Sequence, residues 1–160
     1  SIIAELEQLA KADIQVIWQT GKFYIEDAKK SSQKYFNENL LVTDFVSRMD
    51  YAYSIADLVI SRAGASSISE LCLLKKPVIL VPSPNVAEDH QTQNAMALVN
   101  RNAAVMIRDV DSVKELVPKA LEMIKNDNLL EELANNIGTL AEKNSADRIV
   151  DEVFKIIGFK

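Results

Sequence analysis

The sequence predicts an α/β fold, a Rossmann-like parallel sheet with flanking helices and a helical C-terminal tail. Two short β-branched runs, residues 58–61 and 77–81, are each followed by a loop and an amphipathic helical pattern, and a third run covers residues 103–107. Consecutive strand-helix units of this kind are typical of a parallel sheet. Such sheets bind ligands at the carboxyl ends of their strands, where helix amino ends attract anions. We therefore expect a nucleotide or phosphate site at that edge.

The same alternation fills the earlier part of the chain. An apolar stripe at helical spacing over residues 2–10 predicts a helix at the very start, so the chain is expected to begin within a unit. Residues 14–18 and 40–45 are predicted strands. Helices are predicted over residues 24–36 and 50–56. Every crossover is therefore expected to be helical.

Only helices are predicted after Asp111. Their first apolar stripe runs through Pro118, which lacks an amide hydrogen and clashes inside a helix, so we expect a short first turn that ends there. Asn128 is the expected N-cap of the next helix, and Gly158 is expected to end the last one. Residues 1–160 are predicted to form a single domain.

Composition favours a globular protein and excludes several classes. The chain of 160 residues is 48% hydrophobic and 26% charged, and no apolar run reaches the roughly 20 residues that span a bilayer. A net charge of -5 argues against nucleic-acid binding. A single cysteine, Cys72, and a single histidine exclude an internal disulfide and a zinc set and suggest a reducing compartment. The N-terminus shows no secretory signal, and we expect no cofactor and no metal.

The loop after residues 58–61 is the first candidate anion site. Gly64 permits a positive φ or a close ligand approach, and Ala65, Ser66 and Ser67 are small enough to leave their backbone amides open to a phosphate. A tight turn in which Ser67 caps the helix and Glu70 completes a capping box fits the same residues. The residues alone leave both interpretations open.

Two charged side chains frame this loop. Glu70 is a candidate acceptor for vicinal sugar hydroxyls, as acidic residues are for ribose in dinucleotide folds. Arg62 follows a buried strand, where an unpaired charge is costly, so it either contacts an anion or braces the loop.

The next strand leads into a second polar cluster. Glu88 or Asp89 as the N-cap of a helix explains the acidic residues but not the side chains behind them. His90, Gln91 and Asn94, which follow within about one turn, offer neutral hydrogen-bonding groups suited to a sugar.

Two other chemistries are disfavoured. A Ser-His-Asp hydrolase would need a G-x-S-x-G elbow, which the sequence lacks. Asp109 and Asp111 have the spacing of a metal-binding D-x-D, but they precede a helix that needs a cap, and Ser112 with Glu115 also fits a capping box. Capping is the favoured interpretation.

The ordered motifs at residues 45–49, 56–65, 69–70, 77–82 and 89–95 resemble the MurG family of bacterial N-acetylglucosaminyltransferases, which convert lipid I to lipid II. The resemblance runs through essentially the whole chain. It implies the C-terminal, donor-binding half of a GT-B fold, which consists of two Rossmann-like halves. The implied donor is UDP-N-acetylglucosamine (UDP-GlcNAc).

The resemblance also implies a role for each candidate residue. Val46 would meet uracil through its backbone, in a pocket shaped by Phe45 and Met49. Gly64, Ala65 and Ser66 would face the diphosphate, and Glu70 would accept from the ribose hydroxyls. The GlcNAc would be bound by His90, Gln91 and Asn94. Arg62 would order the loop.

The sequence departs from the family pattern at its start. The family's C-terminal half opens with a strand and a Gly-Gly-Ser-x-Gly-Ala loop, and this sequence begins after both. The acceptor site for lipid I, the membrane contact and the catalytic base belong to the other half, so no catalytic residue is assigned here. We expect the chain alone to be inactive and the full-length enzyme to act in peptidoglycan synthesis, peripherally on the cytoplasmic face of the bacterial inner membrane.

A missing first strand would leave a gap in the sheet. In the strand order 3-2-1-4-5-6 the first strand lies between the second and fourth, here residues 14–18 and 58–61. Direct pairing of these two strands, or a strand-swapped dimer, would close the gap. An alternative is a stand-alone donor-binding subunit that docks on a separate membrane-associated partner.

Overall fold

The computed structural model describes residues 1–35, 38–84 and 89–158 and confirms the α/β class. Its strands are β1 (Val16–Gln19), β2 (Leu40–Thr43), β3 (Val59–Ser61), β4 (Val78–Leu80) and β5 (Val105–Met106). Its α-helices are α1 (Leu6–Lys11), α2 (Ile25–Ser32), α3 (Met49–Ile55), α4 (Ala65–Leu74), α5 (His90–Val99), α6 (Ser112–Met123), α7 (Asp127–Gly138) and α8 (Ser145–Ile156). Short 3-10 helices cover Ile2–Glu5 and Gln33–Tyr35. Phe36, the predicted end of the second helix, and Glu88, a predicted cap, lie outside the described residues.

The strands form two parallel sheets. One contains β1 and β2, with Val16 opposite Leu40, and the other has the order β3-β4-β5, with Val59 opposite Val78. Each crossover within a sheet is helical, as the sequence predicted. Direct pairing of β1 with β3 is not found among the described residues, so the expectation that these strands might close the gap themselves is wrong.

In the part of the chain that the structure describes, β1 and β3 each have one edge without a neighbouring strand. The N–H groups of Val16 and Val59 donate to the residues just before β2 and β4. Because successive residues of a strand direct their backbone groups to opposite sides, Ile17 and Ile60 direct theirs away from these partners. Both isoleucine side chains are also exposed. Each of these two edges therefore has backbone groups available to an additional strand.

The core is built on both faces of β4, whose residues are all fully buried. Val78 and Leu80 pack in one cluster with side chains of α4, α5 and α7, including Leu71, Leu98 and Ile137. Ile79 packs in a second cluster on the other face, with side chains of α6 and α7. This is the three-layer arrangement that βα units produce when helices cover both sheet faces.

Helix α6 continues without interruption through Pro118, so the expected break there is wrong. A proline inside a helix costs about 3 kcal/mol, but Pro118 and Lys114, whose carbonyl loses its partner, are both exposed to water. Burial of Leu116, Val117 and Met123 on the opposite side of the helix holds it together.

The cap of α7 also differs from the expectation. Asn126 precedes the helix, and its side chain accepts a hydrogen bond of 3.1 Å from the Leu129 amide. The predicted cap, Asn128, lies inside the first turn. The error arose because both asparagines precede the same apolar stripe, and only the backbone conformation distinguishes them.

Helix α8 forms the predicted helical tail, but all of its residues are exposed. Its apolar side chains include Ile149, Val150 and Val153, which are exposed in the part of the chain that the structure describes. Gly158 follows with a φ of 69°, as expected for a residue that ends a helix. None of the helices in the described parts of the chain is both long and apolar enough to cross a bilayer.

Replacing Leu71 with alanine should destabilise the fold far more than the same change at Leu73. Both residues lie in α4, but Leu71 is 0% exposed and Leu73 is 48% exposed. A buried Leu→Ala change costs about 2 to 5 kcal/mol because it leaves a cavity. Urea denaturation of the two variants measures the difference in the free energy of unfolding. Equal losses would contradict the packing described here.

Candidate functional site

The carboxyl ends of the strands carry most of the candidate residues. The turn after β2 is held to the end of β1 by the backbone of Thr20, whose N–H donates to the Thr43 carbonyl at 2.9 Å, and of Gly21, whose N–H donates to the Asp44 carbonyl at 3.1 Å. The Val46 N–H donates to Gln19 Oε1 at 2.8 Å. These contacts fix the backbone of residues 43–46 although the segment lies outside the strands.

This turn presents an aromatic surface. The Phe45 side chain is 66% exposed, while Met49 is half-buried at the start of α3. Arg48 donates two hydrogen bonds to the Asp50 carboxylate, of 2.9 and 2.6 Å, and its guanidinium lies 3.8 Å from the centre of the Tyr51 ring. The Arg48 guanidinium accordingly lowers the pKa of Asp50. Phe45 and Val46 lie in the turn after β2, and Met49 begins the helix that follows it.

Arg62 ties together the ends of the three strands in the second sheet. One of its guanidinium nitrogens, Nη1, donates to the carbonyls of Val81 and Pro82, at 3.2 and 3.3 Å, and to the carboxylate of Asp109. These partners follow β4 and β5, while Arg62 itself follows β3. Arg62 is therefore a brace in this structure, and about half of its side chain remains exposed.

The predicted capping role of Asp109 and Asp111 is wrong. Asp111 precedes α6, but its side chain makes no capping hydrogen bond among the described residues. Its carboxylate accepts instead from Arg108, and that of Asp109 accepts from Arg62. The capping box of Ser112 is also absent, since its hydroxyl donates to the Asp109 carbonyl. No three His, Cys, Asp or Glu side chains of the described ranges come together as metal ligands.

The start of α4 differs from the capping-box interpretation. The helix begins at Ala65 after Gly64, so Ser67 lies inside the first turn and does not cap it. Of the two uses predicted for Gly64, a positive φ or a close ligand approach, the first is not found, because its φ is -70°. A Cβ at this position would find its nearest neighbour, Ser67 Oγ, at 4.0 Å. The glycine therefore leaves open space beside the first-turn amides, and Ala65 and Ser66 are both exposed there.

Glu70 is exposed on the second turn of α4, and no capping bond uses its carboxylate in the described structure. The hydroxyl of Tyr53 in α3 donates to Glu70 Oε2 at a long 3.4 Å. Burial, followed by the Glu70 charge, raises the pKa of Tyr53, so this hydroxyl keeps its proton at neutral pH. The carboxylate retains acceptor capacity for further donors.

Gln91 and Asn94 act on the backbone around Ala63. Gln91 Oε1 accepts from the Ala63 and Ser83 amides, at 3.2 and 2.9 Å, and Asn94 Nδ2 donates to the Ala63 carbonyl at 3.1 Å. Together they satisfy both backbone groups of Ala63 and join the loops after β3 and β4. Each side chain keeps one polar end, Gln91 Nε2 and Asn94 Oδ1, outside these bonds.

His90 is the exposed first residue of α5. Asp89 precedes it with a left-handed φ of 55° and makes no side-chain cap to a backbone amide among the described residues. Its carboxylate accepts from the Thr92 hydroxyl at 2.6 Å instead. Asp89 therefore orders the helix start through a side-chain contact, and His90, Gln91 and Asn94 are close together at this helix end.

Residues 1–151 match the family described as the glycosyltransferase family 28 C-terminal domain. The chain belongs to this family. It is 61% identical over 160 residues to a UDP-N-acetylglucosamine--N-acetylmuramyl-(pentapeptide) pyrophosphoryl-undecaprenol N-acetylglucosamine transferase of Parabacteroides distasonis, covering 100% of the chain and 44% of that protein. A protein of the same name from Cytophaga hutchinsonii is 54% identical over 157 residues, which are 98% of this chain and 42% of that protein.

A solved structure supports the same relationship. The crystal structure of Acinetobacter baumannii MurG matches with a TM-score of 0.77 and 30% identity, over 95% of this chain and 48% of that one. The family 28 domain described here thus has the fold expected of the C-terminal half of a GT-B protein. The chain spans less than half the length of the relatives named above.

Sequence reasoning missed three contributors to this family 28 site. Gln19 holds the Val46 amide, Tyr53 contacts Glu70, and Asp109 pairs with Arg62. Gln19 ends β1 and Asp109 follows β5, which was the available signal, since parallel strands bring such positions to one edge, whereas Tyr53 lies within α3 and offered no such signal. The local sequence could not predict their partners, because these lie 27, 17 and 47 residues away along the chain.

Replacing Gln91 with leucine should destabilise the domain even without a ligand. The change leaves the amides of Ala63 and Ser83 without their acceptor, and an unsatisfied buried donor costs about 1 to 3 kcal/mol. Gln91→Glu keeps an oxygen at the same position and is the matched control. Chemical denaturation should show a lower free energy of unfolding for the leucine variant only. A leucine variant as stable as the glutamate variant would show that the hydrogen bonds accepted by Gln91 do not stabilise the domain.

Proposed function

We propose that this domain holds UDP-GlcNAc for an inverting N-acetylglucosaminyltransferase that converts lipid I to lipid II in peptidoglycan synthesis. The observation that carries the proposal is the start of α4. There a glycine opens space beside exposed first-turn amides, and a carboxylate that does not cap the helix follows on the next turn. The family relationship favours the same donor.

The diphosphate is assigned to Gly64, Ala65 and Ser66. First-turn amides have no partners within their helix, and the helix dipole adds positive potential at this end. The missing Cβ of Gly64 leaves room for phosphate oxygens to approach the backbone. Arg62, which is engaged with the strand ends, orders this loop and does not need to touch the anion.

The nucleoside is assigned to Glu70 and the turn after β2. A carboxylate only accepts hydrogen bonds, which suits the two vicinal hydroxyls of a ribose. The exposed Phe45 ring offers a stacking surface for uracil beside the backbone of Val46. We assign the half-buried Met49 to the wall of the same pocket.

The sugar is assigned to His90, Gln91 and Asn94. The free ends of the two amides, a donor on Gln91 and an acceptor on Asn94, suit sugar hydroxyls, while their other ends are fixed to Ala63. A donor-acceptor pair anchored in this way loses little conformational entropy when it binds. We assign His90 a neutral hydrogen-bonding role and not that of general base, because it lies at the exposed start of α5 beside Gln91 and Asn94, whose amides offer the same kind of hydrogen bond to a sugar.

In the proposed reaction the acceptor hydroxyl attacks C1 of GlcNAc while the bond from C1 to the diphosphate oxygen breaks. The leaving UDP gains negative charge, which the α4 amides are placed to stabilise without a metal. The hydroxyl proton passes to a base in the remainder of the enzyme. We also assign to that remainder the lipid I site and the peripheral contact with the cytoplasmic face of the inner membrane, which connects the protein to cell shape and division.

Replacing Glu70 with alanine should weaken donor binding without weakening the fold. Two ribose hydroxyls would lose their acceptor, at a cost of about 1 to 3 kcal/mol, or roughly 5-fold to 150-fold in donor KM. Glu131→Ala, which removes the same charge from an exposed position on α7, is the matched control. Donor KM and thermal midpoint are measured together in the enzyme that contains both halves. An unchanged KM with a lowered midpoint would assign Glu70 a structural role only.

The isolated chain of residues 1–160 should bind UDP-GlcNAc weakly and associate through its free strand edges. The edges at Ile17 and Ile60 suit an added strand, and a strand-swapped dimer would supply one. Light scattering should give a mass above that of the monomer, and Ile60→Lys, which places a charge on one edge, should lower it. Leu41→Lys, at an exposed position on β2, is the control. A monomer that binds donor as tightly as the complete enzyme would refute this prediction.

A further inference from the structure

Tyr53, a residue of α3, contacts Glu70 of α4 but has no role in the assignments above. Its ring is half-buried and packs against the apolar cluster that includes Leu71 and Cys72 of α4. Its hydroxyl donates to Glu70 Oε2 at 3.4 Å. Burial, and after it the Glu70 charge, raises the pKa of Tyr53. The hydroxyl therefore stays protonated at neutral pH and remains a donor to the carboxylate.

A second contact joins α3 to α4. Lys76 Nζ, just beyond the end of α4, donates to the carbonyl of Ala56, just beyond the end of α3, at 2.9 Å. Ala56 lies about one helical turn after Tyr53. This bond ties the ends of the two helices together, and packing against the core cluster holds the Tyr53 ring. The Tyr53 hydroxyl consequently has a defined position relative to the backbone of α4.

The Glu70 side chain gains its orientation from this hydroxyl. Glu70 is exposed on α4, and Tyr53 is the one donor to its carboxylate in the described parts of the chain. An exposed glutamate otherwise exchanges among rotamers, and a ligand that needs one of them must restrict the side chain on binding. A carboxylate has about four acceptor positions, so the contact at Oε2 leaves the others, including both of Oε1, for further donors.

We infer that Tyr53 is a positioning residue that orients the Glu70 carboxylate towards the two vicinal ribose hydroxyls of the donor, an inference that rests on the proposed function. Vicinal hydroxyls occupy fixed positions on the ribose ring, and the carboxylate accepts from both only when it is correctly oriented. A 2′-deoxyribose offers a single hydroxyl at this edge, which a freely turning carboxylate can also meet. Tyr53 therefore strengthens binding of the ribonucleotide more than binding of the deoxyribonucleotide.

The hydroxyl of Tyr53 can be removed without removing its ring. Tyr53→Phe keeps the packing against the core cluster and deletes only the donor to Glu70. Tyr35→Phe is the matched control, since it removes a phenol hydroxyl from another half-buried tyrosine. Tyr35 ends the short 3-10 helix that precedes β2, so it lies towards the amino end of that strand, away from the candidate site at the carboxyl ends.

The test measures binding of UDP and 2′-deoxy-UDP by calorimetry in the protein that contains both halves. The unmodified protein should prefer UDP, and Tyr53→Phe should lower the ratio of the two affinities by about threefold to tenfold, the range expected for one hydrogen bond. Tyr35→Phe should keep the ratio. Tyr53→Phe is also combined with Glu70→Ala, where it should lower the ratio no further, because the carboxylate through which it acts is absent.

The results distinguish this inference from the function on which it rests. An unmodified protein that binds neither nucleotide overturns the proposed function. A Glu70→Ala variant that loses the preference for UDP, together with a Tyr53→Phe variant that keeps it, overturns the role of Tyr53 alone. A Tyr53→Phe variant with a lowered thermal midpoint and an unchanged ratio does so as well, because Tyr53 would then only stabilise the fold. Equal losses with and without the Glu70 carboxylate would show that Tyr53 does not act through it.

Discussion

The complete burial of β4 is the constraint on which the rest of the structure depends. A strand with no exposed residue needs a neighbour on both edges and helices on both faces, and β3, β5 and the two apolar clusters satisfy that need. Once β3 and β4 are parallel and adjacent, their following loops meet at one end. Arg62 and Gln91 bridge the loops there. The position of the polar site therefore follows from the burial of the apolar residues of β4.

Local pattern carried the prediction of the fold. Each described strand overlaps a run that the sequence predicted as a strand, and β1 extends one residue beyond its run, to Gln19. Each crossover helix appears where the apolar period indicated. The errors fall where two local signals compete. Pro118 argued for a break, but burial of the opposite helix face outweighs a lost hydrogen bond at a solvated position. Asn126 and Asn128 are the same residue type before the same apolar stripe, and only the backbone conformation shows which of them caps the helix.

The position of the candidate site could be predicted from the sequence, but the hydrogen bonds between its residues could not. Parallel topology places Arg62 directly after β3 and Gln91 at the start of α5, so the sequence alone predicted that these two residues lie at one edge of the sheet. The hydrogen-bond partners could not be predicted from local sequence, because they are far apart along the chain. Gln91 bonds to Ala63, 28 residues before it, and Arg62 bonds to Asp109, 47 residues after it. Such distant pairs depend on side-chain direction after folding. The Ser67 capping box is not formed because the helix begins at Ala65, three residues earlier than a cap at Ser67 requires.

The separation of the two sheets gives the two ends of the proposed nucleotide site unequal rigidity. The turn that carries Phe45 and Val46 belongs to a two-stranded pair with alternating exposure, whereas the loop at Gly64 belongs to the sheet built on β4. Regions with fewer buried contacts open at lower free energy than the global fold. A bound dinucleotide-sized ligand would thus be anchored at its phosphates and released first at its base. Its departure would begin as a peeling motion from one end.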